Sequence, residues 1–322
     1  MDPFVSIIIP VKNNGKIIES CIKSLINLNY PKDKIEIIIV DGNSTDNTRE
    51  IAHKYNLKVI LDEGKGRAIA INAGVLHAQG EYIAFTDADC LPDLNWIHNL
   101  LKYFNSDYVG GVGGPNIVPP NSSSFIKAIE YISMQSPNAK KFDLAGEVDS
   151  IAGCNSIYRS DILKQFIPLP QVGYIEDTLL NYRIRKANFK LLSAPEAVVW
   201  HNRHYSSLSA FFKQTISMGK GIVEGARFEK DLIKPFHFLM GLSLPLFIVF
   251  FIGMSLLSSF SISLFFSSVL LIILAIFLFF KCLFDIKSLT IALYMPLVAF
   301  VEIFGYSIGF IVEFTKVNKV IR

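Results

Sequence analysis

The chain has 322 residues, of which 51% are hydrophobic, and a formal net charge of +3. This nearly neutral charge argues against a nucleic-acid partner, because nucleic-acid-binding proteins usually carry a concentrated basic face. The mean hydropathy of +0.39 is high for a soluble protein, and residues 236–280 contain no Asp, Glu, Lys or Arg. A stretch of this kind is typical of a membrane protein.

The N-terminus has no basic segment followed by an apolar core and a cleavage site, so we predict no signal peptide and a cytosolic first domain. The four cysteines lack CxxC spacing, which predicts reduced and mostly structural thiols.

The N-terminal part of the chain alternates segments typical of strands and helices. Apolar, β-branched runs predict strands, and apolar residues at helical spacing predict helices between them. The predicted strands cover residues 5–10, 35–40 and 58–61, and the predicted helices cover residues 19–28, 47–55 and 68–78. This alternation predicts a largely parallel sheet with ligands at the carboxyl ends of its strands.

A fourth apolar run, residues 82–86, leads into two carboxylates, Asp87 and Asp89. Charges at the tip of a buried strand need compensation, and a divalent cation that carries a phosphorylated ligand would provide it. Asp41 and the loop 64–67 follow neighbouring predicted strands. We therefore expect all of them at one edge of the sheet.

Weaker patterns continue through the middle of the chain. They predict helices over residues 96–104 and 125–134, a helix that is opened by residues 173–178 and runs to about residue 187, and strands over residues 108–112 and 197–200. Gly153 opens a tight element between them, and His201 follows the last strand.

The C-terminal part predicts a membrane region. Residues 207–235 mix apolar and basic side chains, as in an amphipathic helix at a membrane interface. Segments 236–257 and 262–280 are each near the roughly 20 residues that a helix needs to cross a bilayer, and their short connection predicts a hairpin. A third apolar segment, residues 289–314, contains Pro296, Glu302 and Glu313.

The basic residues leave the role of this third segment open. Lys230 and Lys234 before the hairpin, and Lys281 and Lys287 after it, place both hairpin ends in the cytosol. A third span would carry the basic residues at the end of the chain outside, so the segment is either a span or a re-entrant or interfacial helix. Its length favours a span.

Five motifs in a fixed order indicate a family. They are Ser6-Ile7-Ile8-Ile9-Pro10, Val40-Asp41-Gly42-Asn43-Ser44-Thr45-Asp46, Gly64-Lys65-Gly66-Arg67 with Asn72-Ala73-Gly74, Asp87-Ala88-Asp89, and Glu176-Asp177. Together they resemble the family 2 glycosyltransferases. The resemblance implies an α/β catalytic domain with the GT-A fold, a UDP- or GDP-sugar donor, Mg²⁺ or Mn²⁺, and a single displacement that inverts the anomeric centre.

The resemblance also assigns donor-binding roles. Asp41 would contact the nucleotide base, and Pro10 would form the other wall of the base pocket. Lys65 or Arg67 would contact phosphate or ribose, because glycine permits close backbone approach and the cations offset charge; the alternative is an ordinary surface loop. Gly153 would leave room for the donor sugar.

The metal and the diphosphate would lie beside the Asp-x-Asp motif. Asp87 would reach the ribose or the metal, and Asp89 would bind the metal that neutralises the departing nucleoside diphosphate. His201 is either a further ligand of the metal or diphosphate or a structural histidine. Arg203, with His204 as the alternative, would contact the pyrophosphate.

Asp177 is the expected catalytic base, which takes the proton from the acceptor hydroxyl. Glu176 would orient the site or meet the acceptor. Both acids would also favour the N-terminus of their helix.

We therefore expect a catalytic domain over residues 1–206, interface helices over 207–235 and a transmembrane region over 236–322. The expected activity is sugar transfer to a lipid-linked saccharide at the cytosolic membrane face. The alternatives are a polyprenyl-phosphate glycosyltransferase, a processive polysaccharide synthase and a nucleotide-sugar-binding membrane scaffold. Processive synthases of this family carry a Gln-x-x-Arg-Trp motif. In this chain Ser217-Met218 stands after Gln214 in place of the Arg-Trp pair, which counts against the processive alternative.

Overall fold

The computed structural model describes residues 2–202 and 207–320. They form two compact units, one made of residues 2–120 and 136–202 and the other of residues 121–135 and 207–320. The predicted catalytic domain, residues 1–206, includes residues 121–135, which the structure places in the second unit. Within them, Ser124–Met134 form a helix whose apolar side chains, such as Ile129, are buried in a cluster with Phe211 and Met295.

Strands occur only in the first unit within the described residues. The strands are β1 (Val5–Val11), β2 (Ile35–Asp41), β3 (Lys58–Leu61), β4 (Tyr82–Phe85), β5 (Cys90–Pro92), β6 (Val109–Gly113), β7 (Asn116–Ile117), β8 (Gly146–Glu147), β9 (Ser156–Arg159), β10 (Lys190–Ser193) and β11 (Val199–His201).

The helices belong to both units. Those of the first unit are α1 (Ile18–Ile26), α2 (Thr48–Lys54), α3 (Arg67–His77), α4 (Trp96–Leu101), α6 (Pro137–Lys140), α7 (Ser160–Leu163) and α8 (Glu176–Lys186). Those of the second unit are α5 (Ser124–Met134), α9 (Leu208–Ala226), α10 (Pro235–Leu257), α11 (Phe260–Ile286) and α12 (Leu289–Val320).

The main sheet of the first unit has eight strands in the order β3-β2-β1-β4-β9-β6-β10-β8. Neighbours from β3 to β4 are parallel, and so are β6 and β10. Strand β9 is antiparallel to both of its neighbours, and β8 is antiparallel to β10. The prediction of a mostly parallel α/β sheet is confirmed.

Helices cover the sheet on both faces, as the continuous apolar runs of its strands require. Successive side chains of a strand point to opposite faces, so Ile7 and Ile9 join the apolar cluster that includes α1 and α4. Ile8 joins the other cluster, which includes α3 and α8. All three isoleucines are fully buried.

A small second sheet, in the order β5-β11-β7, completes the site edge of this unit. Strand β11 pairs antiparallel with β5, and the pairing sets His201 opposite Cys90. The Asn202 N–H also donates to the Asp89 carbonyl at 2.8 Å. This sheet therefore brings the last strand of the unit to the Asp-x-Asp motif.

Three helices of the second unit, α10, α11 and α12, are long and apolar enough to cross a membrane. Their most apolar windows have mean hydropathies of 2.2, 2.9 and 1.9, and α12 is buried over 39% of its window against 6% and 11% for the others. Helix α11 runs past the predicted end at residue 280. Its added turn is held by Lys281, which pairs with Asp285 at 3.0 Å and donates to the Tyr131 hydroxyl.

Helices α9 and α12 approach closely through glycines. A Cβ at Gly219 would overlap the Tyr306 carbonyl, and a Cβ at Gly309 would overlap the Ile216 carbonyl. Gly305 likewise lies against Thr215. Small residues four apart are a common means of close helix packing in membranes.

Helices α10 and α12 are joined by a polar contact that a proline makes necessary. Pro245 lies inside α10 and has no N–H, so the Gly241 carbonyl one turn earlier loses its helical donor. The Ser307 hydroxyl of α12 donates to this carbonyl at 2.7 Å and is fully buried. An unsatisfied carbonyl in an apolar environment is thereby avoided.

Candidate active site

Arg67 joins three separate parts of the first unit at the carboxyl-terminal edge of the sheet. As the first residue of α3, it donates to Asp87 Oδ1 from Nε at 3.2 Å and from Nη2 at 2.9 Å. Its Nη1 donates to Glu176 Oε1 at 2.7 Å, and its Nη2 also donates to the Gly153 carbonyl at 2.9 Å. The planar guanidinium can serve all three partners because its donors are fixed in a fork.

The guanidinium of Arg67 is a positive charge that several neighbouring carboxylates share. Burial opposes the charge of Arg67, but Asp87, Glu176 and Asp177 outweigh it and keep the pKa of the guanidinium well above its ordinary value. Burial raises the pKa of Glu176 against the opposing effect of Arg67, and Asp177 raises it further. Glu176 is only 5% exposed, and the charged hydrogen bond from Arg67 holds its carboxyl group in place.

Gly153 has no space for a side chain. A Cβ would lie 2.7 Å from Arg67 Nη1, so any larger residue would displace the guanidinium. The Gly153 N–H donates to Asp177 Oδ2 at 3.0 Å, while its carbonyl accepts from Arg67. One glycine therefore connects the cation with the second acid of the Glu176-Asp177 pair.

Asp177 is partly exposed and firmly oriented. Its Oδ1 accepts from the Thr178 N–H at 2.6 Å, and its Oδ2 accepts from Gly153. The residue lies in the first turn of α8, where an acid is favoured by the helix dipole. Both interpretations of the sequence, a helix-terminal acid and a reactive carboxylate, fit this position.

Asp89 and His201 form the second half of the site. His201 Nε2 lies 3.3 Å from Asp89 Oδ2, and ligand atoms of Asp87, Asp89, Cys90 and His201 all lie within 4.8 Å of one another. Two carboxylates and an imidazole are suitable donors for Mn²⁺ or Mg²⁺. The residues present therefore fit a divalent cation.

Two buried thiols lie behind His201. Cys154 Sγ is 3.7 Å from His201 Nδ1, and Cys90 is fully buried beside them. The hydrogen bond from Cys90, together with His201, lowers the pKa of Cys154 despite burial. Burial alone would lower the pKa of His201, but Cys154 and Asp89 raise it.

Asp41 ends β2 and is a buried carboxylate whose two oxygens have different surroundings. The residue is fully buried. Its Oδ1 accepts from the Ser44 N–H at 2.8 Å and lies 3.8 Å from Arg49 Nε, whereas its Oδ2 has no hydrogen-bond partner among the described residues. A buried carboxylate oxygen without a donor is costly, so this atom suits a ligand N–H.

The loops after β1 and β2 are bound to each other around this position. The Asn13 N–H donates to Ser44 Oγ at 2.9 Å, and the Gly42 N–H donates to the Val11 carbonyl at 2.8 Å. Pro10 pairs with Val40 in the β1–β2 register. The structure therefore brings Pro10 and Asp41 to adjacent strand ends.

One predicted residue within the described part of the chain does not join these groups. The Lys65 ammonium pairs with Glu63 on the exposed surface, away from the ion pairs of its neighbour Arg67. Arg203, with its alternative His204, lies outside the described residues.

The hydrogen bonds that hold the site together could not be predicted from the sequence, although Asn155 lies in the tight element that Gly153 opens. Asn155 is fully buried; its amide donates to the carbonyls of Pro115 at 3.0 Å and Ala197 at 2.7 Å, and its Oδ1 accepts from Trp96 Nε1 at 2.8 Å. These bonds fix the loop that carries Gly153 and Cys154. The order Asp89-Cys90 could have predicted a thiol at the site, because Cys90 directly follows the acidic motif.

Comparison with known proteins identifies the family. The model of glycosyl transferase family 2 matches residues 6–167. The Glycosyltransferase AglE of Haloferax volcanii is 29% identical over 233 residues, which cover 69% of this chain and 74% of that protein. A Methanococcus voltae dolichyl N-acetyl-alpha-D-glucosaminyl phosphate 3-beta-D-2,3-diacetamido-2,3-dideoxy-beta-D-glucuronosyltransferase is 30% identical over 254 residues, or 73% of this chain and 79% of that protein.

Solved structures support the same fold. The mannosyltransferase PcManGT of Pyrobaculum calidifontis, in complex with GDP-Man and Mn²⁺, superposes with a TM-score of 0.66 at 21% identity and covers 92% of this chain and 87% of its own. TarS 1-349 of S. aureus, in complex with UDP-GlcNAc, has a TM-score of 0.52 at 21% identity, over 70% of this chain and 69% of its own. With the sheet order and the family match, these findings show that the chain belongs to glycosyltransferase family 2 and is a glycosyltransferase with the GT-A fold.

Proposed function

We propose that this glycosyltransferase moves a sugar from a nucleotide-diphosphate donor to a lipid-linked saccharide at the cytosolic membrane face, with inversion at the anomeric carbon. The observation that carries the proposal is the Arg67 contact set, which joins Asp87, Gly153 and Glu176. Through these contacts Arg67 connects Asp87, on the proposed donor side, with helix α8, whose first residues Glu176 and Asp177 are on the proposed acceptor side.

The donor nucleotide is proposed to bind along the carboxyl ends of β1, β2 and β4. Asp41 Oδ2 would accept an N–H of the base, because this buried atom has no hydrogen-bond partner among the described residues. Pro10 would flank the base from the neighbouring strand. Lys65 would reach the phosphates only by leaving Glu63, which exposure of both side chains permits at little cost.

Asp87, Asp89 and His201 would hold Mg²⁺ or Mn²⁺. When bound there, the cation supplies positive charge against the departing nucleoside diphosphate. The Mn²⁺ bound with GDP-Man in the Pyrobaculum mannosyltransferase supports the choice of metal. Arg67 adds a fixed cation beside Asp87, which limits the repulsion between the carboxylates and an incoming diphosphate.

The two acids of α8 would divide the acceptor-side work. Glu176 is held by Arg67 at 2.7 Å, so it would orient the site. Asp177 is partly exposed and oriented by two backbone N–H groups, so it would take the proton of the acceptor hydroxyl. A saccharide hydroxyl needs such a base, whereas a phosphate acceptor is already anionic.

The membrane part supports an acceptor that is anchored in lipid. Three helices long and apolar enough to span belong to the same chain. The Methanococcus relative is named for a dolichyl-phosphate-linked sugar. The basic residues on both sides of the hairpin favour a cytosolic catalytic domain.

A panel of donors and acceptors tests the proposal. Full-length protein in detergent would be incubated with UDP- and GDP-sugars, Mn²⁺, and either polyprenyl phosphate or a polyprenyl-linked saccharide. We expect one added sugar on the saccharide, loss of transfer with EDTA and recovery with Mn²⁺. Transfer only to polyprenyl phosphate, or formation of a long polymer, would refute the proposed acceptor; donor binding without turnover would favour the scaffold.

Asp177→Asn tests the assigned base within the same assay. Loss of a positioned general base costs about 10²–10⁴-fold in turnover, so we expect a loss of that size with donor affinity retained. Asp107→Asn is the matched control, because Asp107 is fully exposed. A wild-type rate for Asp177→Asn would show that the assignment is wrong.

A further inference from the structure

We propose that Cys90, Cys154 and Nδ1 of His201 form a second metal site, which binds a thiophilic divalent cation such as Zn²⁺. The three ligand atoms lie within 4.8 Å of one another. Cys154 Sγ and His201 Nδ1 are 3.7 Å apart. Sulfur and nitrogen ligands of one tetrahedral zinc lie about 3.5 Å apart, so only small shifts are needed.

The site is held by the fold rather than by flexible side chains. Cys90 and His201 face each other in the β5–β11 pairing, and the Asn155 bonds fix the loop that carries Cys154. Cys90 is fully buried and Cys154 is 7% exposed. Asp89 Oδ1, at 3.9 Å from Cys90 Sγ, is a candidate for a fourth ligand.

The two thiols distinguish this site from the proposed Mn²⁺ site, with which it shares His201. Carboxylate oxygens suit Mg²⁺ and Mn²⁺, whereas thiolates select Zn²⁺ and softer ions. Binding replaces the two thiol protons by the metal, and both protons pass to solvent. No oxidant or reductant is involved.

His201 belongs to both sites through different ring nitrogens. Nε2 faces Asp89 at 3.3 Å, while Nδ1 faces Cys154. A zinc ion on the thiolates would draw His201, and through it Asp89, away from the other cation. Zinc should therefore antagonise Mn²⁺-supported transfer, a consequence that rests on the proposed function, whereas zinc binding itself does not.

Titration of the full-length, reduced protein in detergent with Cd²⁺ tests the binding. Cadmium–thiolate bonds give an ultraviolet charge-transfer band, and we expect one equivalent to saturate it, with protons released in weak buffer. Cys154→Ser should weaken binding at least about tenfold, and the Cys90→Ser/Cys154→Ser double variant should abolish the band. Cys282→Ser, a buried thiol in the other unit, is the matched control and should keep it.

The outcomes separate this proposal from the catalytic one. Absence of the band in the wild type, or its survival in the double variant with an unchanged melting temperature, would overturn the metal site. Inhibition by Zn²⁺ that is equal in wild type and double variant would place the inhibitory zinc on the carboxylates and overturn the proposed antagonism. A normal band in a protein without transferase activity would refute the proposed function and leave the metal site standing.

Discussion

At the scale of single residues, Arg67 is the most connected side chain of the candidate site. Its 25% exposed guanidinium serves two carboxylates and one carbonyl from three chain segments. Removing one partner of such a pair leaves an uncompensated charge, which costs more than the contact itself contributes. The residue therefore supports both the local fold and the position of the acids.

We predict that Arg67→Lys lowers turnover by about 10²-fold. A single ammonium cannot serve all three partners, and a shift of about 1 Å in the groups that position a reaction can lower its rate by about 10²-fold. The measurement is kcat with saturating donor. Arg159→Lys is the control, since Arg159 is 26% exposed and also bridges two acids, Asp107 and Asp161, which are largely exposed. Equal effects in the two variants would contradict the special role of Arg67.

Asp41 Oδ2, which has no hydrogen-bond partner in the part of the chain that the structure describes, leads to a second prediction. Asp41→Asn keeps an acceptor for the Ser44 N–H, but the NH₂ group that then stands in place of Oδ2 cannot accept an N–H of the base. A hydrogen bond to a charged group contributes about 1.5–3 kcal/mol. We expect donor KM to rise at least about tenfold with little change in kcat. Kinetics with the preferred nucleotide sugar provide the check, with the surface variant Asp33→Asn as the control; an unchanged KM would exclude base recognition here.

At the scale of elements, the strands and helices before residue 90 were predictable because their apolar patterns are strong. Buried parallel strands appear as continuous apolar runs, and acids at their ends mark the ligand edge. The proximity of His201 to Asp89 was harder to predict, because it depends on the pairing of β5 with β11 across more than a hundred residues. The partners of Arg67 depend on side-chain geometry that no spacing encodes.

The contact between α9 and α12 also had no predicted counterpart. Apolar composition marks a membrane helix, but helix association there depends on small residues and on side-chain fit. Gly305 and Gly309 are such residues, and they permit the close approach to Thr215 and Ile216.

We predict that Gly309→Ala destabilises the second unit by about 1–3 kcal/mol, the usual cost of overpacking, and lowers its melting temperature in detergent. Gly253→Ala in α10 is the matched control, because a Cβ there meets no atom within 4 Å and alanine is the better helix former. A melting temperature that does not distinguish the two variants would contradict the close packing.

At the scale of the whole molecule, composition predicted the division into an α/β unit and an apolar helical part. It did not predict that residues 121–135 belong with the apolar helices, because α5 lies within the sequence of the other unit. Its assignment depends on long-range contacts such as the Phe125–Phe211 ring pair, with centroids 6.4 Å apart.

Three spans predict opposite locations for the two ends of the chain. We expect green fluorescent protein to fluoresce at the N-terminus, and alkaline phosphatase to be active when fused after Arg322. The reverse fusions should be inactive. Fluorescence at both ends would show that α12 re-enters the membrane or lies at its interface. Helix α12 is the test case because it is more buried than α10 and α11.

The Ser307 bond to Gly241 makes two distant positions of the chain interdependent. Ser307→Ala leaves the Gly241 carbonyl without a donor while residue 245 is proline, but Pro245→Ala restores the helical N–H. We therefore expect Ser307→Ala to cost roughly 1–3 kcal/mol alone and much less together with Pro245→Ala, as a double-mutant cycle of melting temperatures would show. Additive costs would contradict the coupling; if it holds, a proline at 245 is tolerated only with a hydrogen-bond donor at 307.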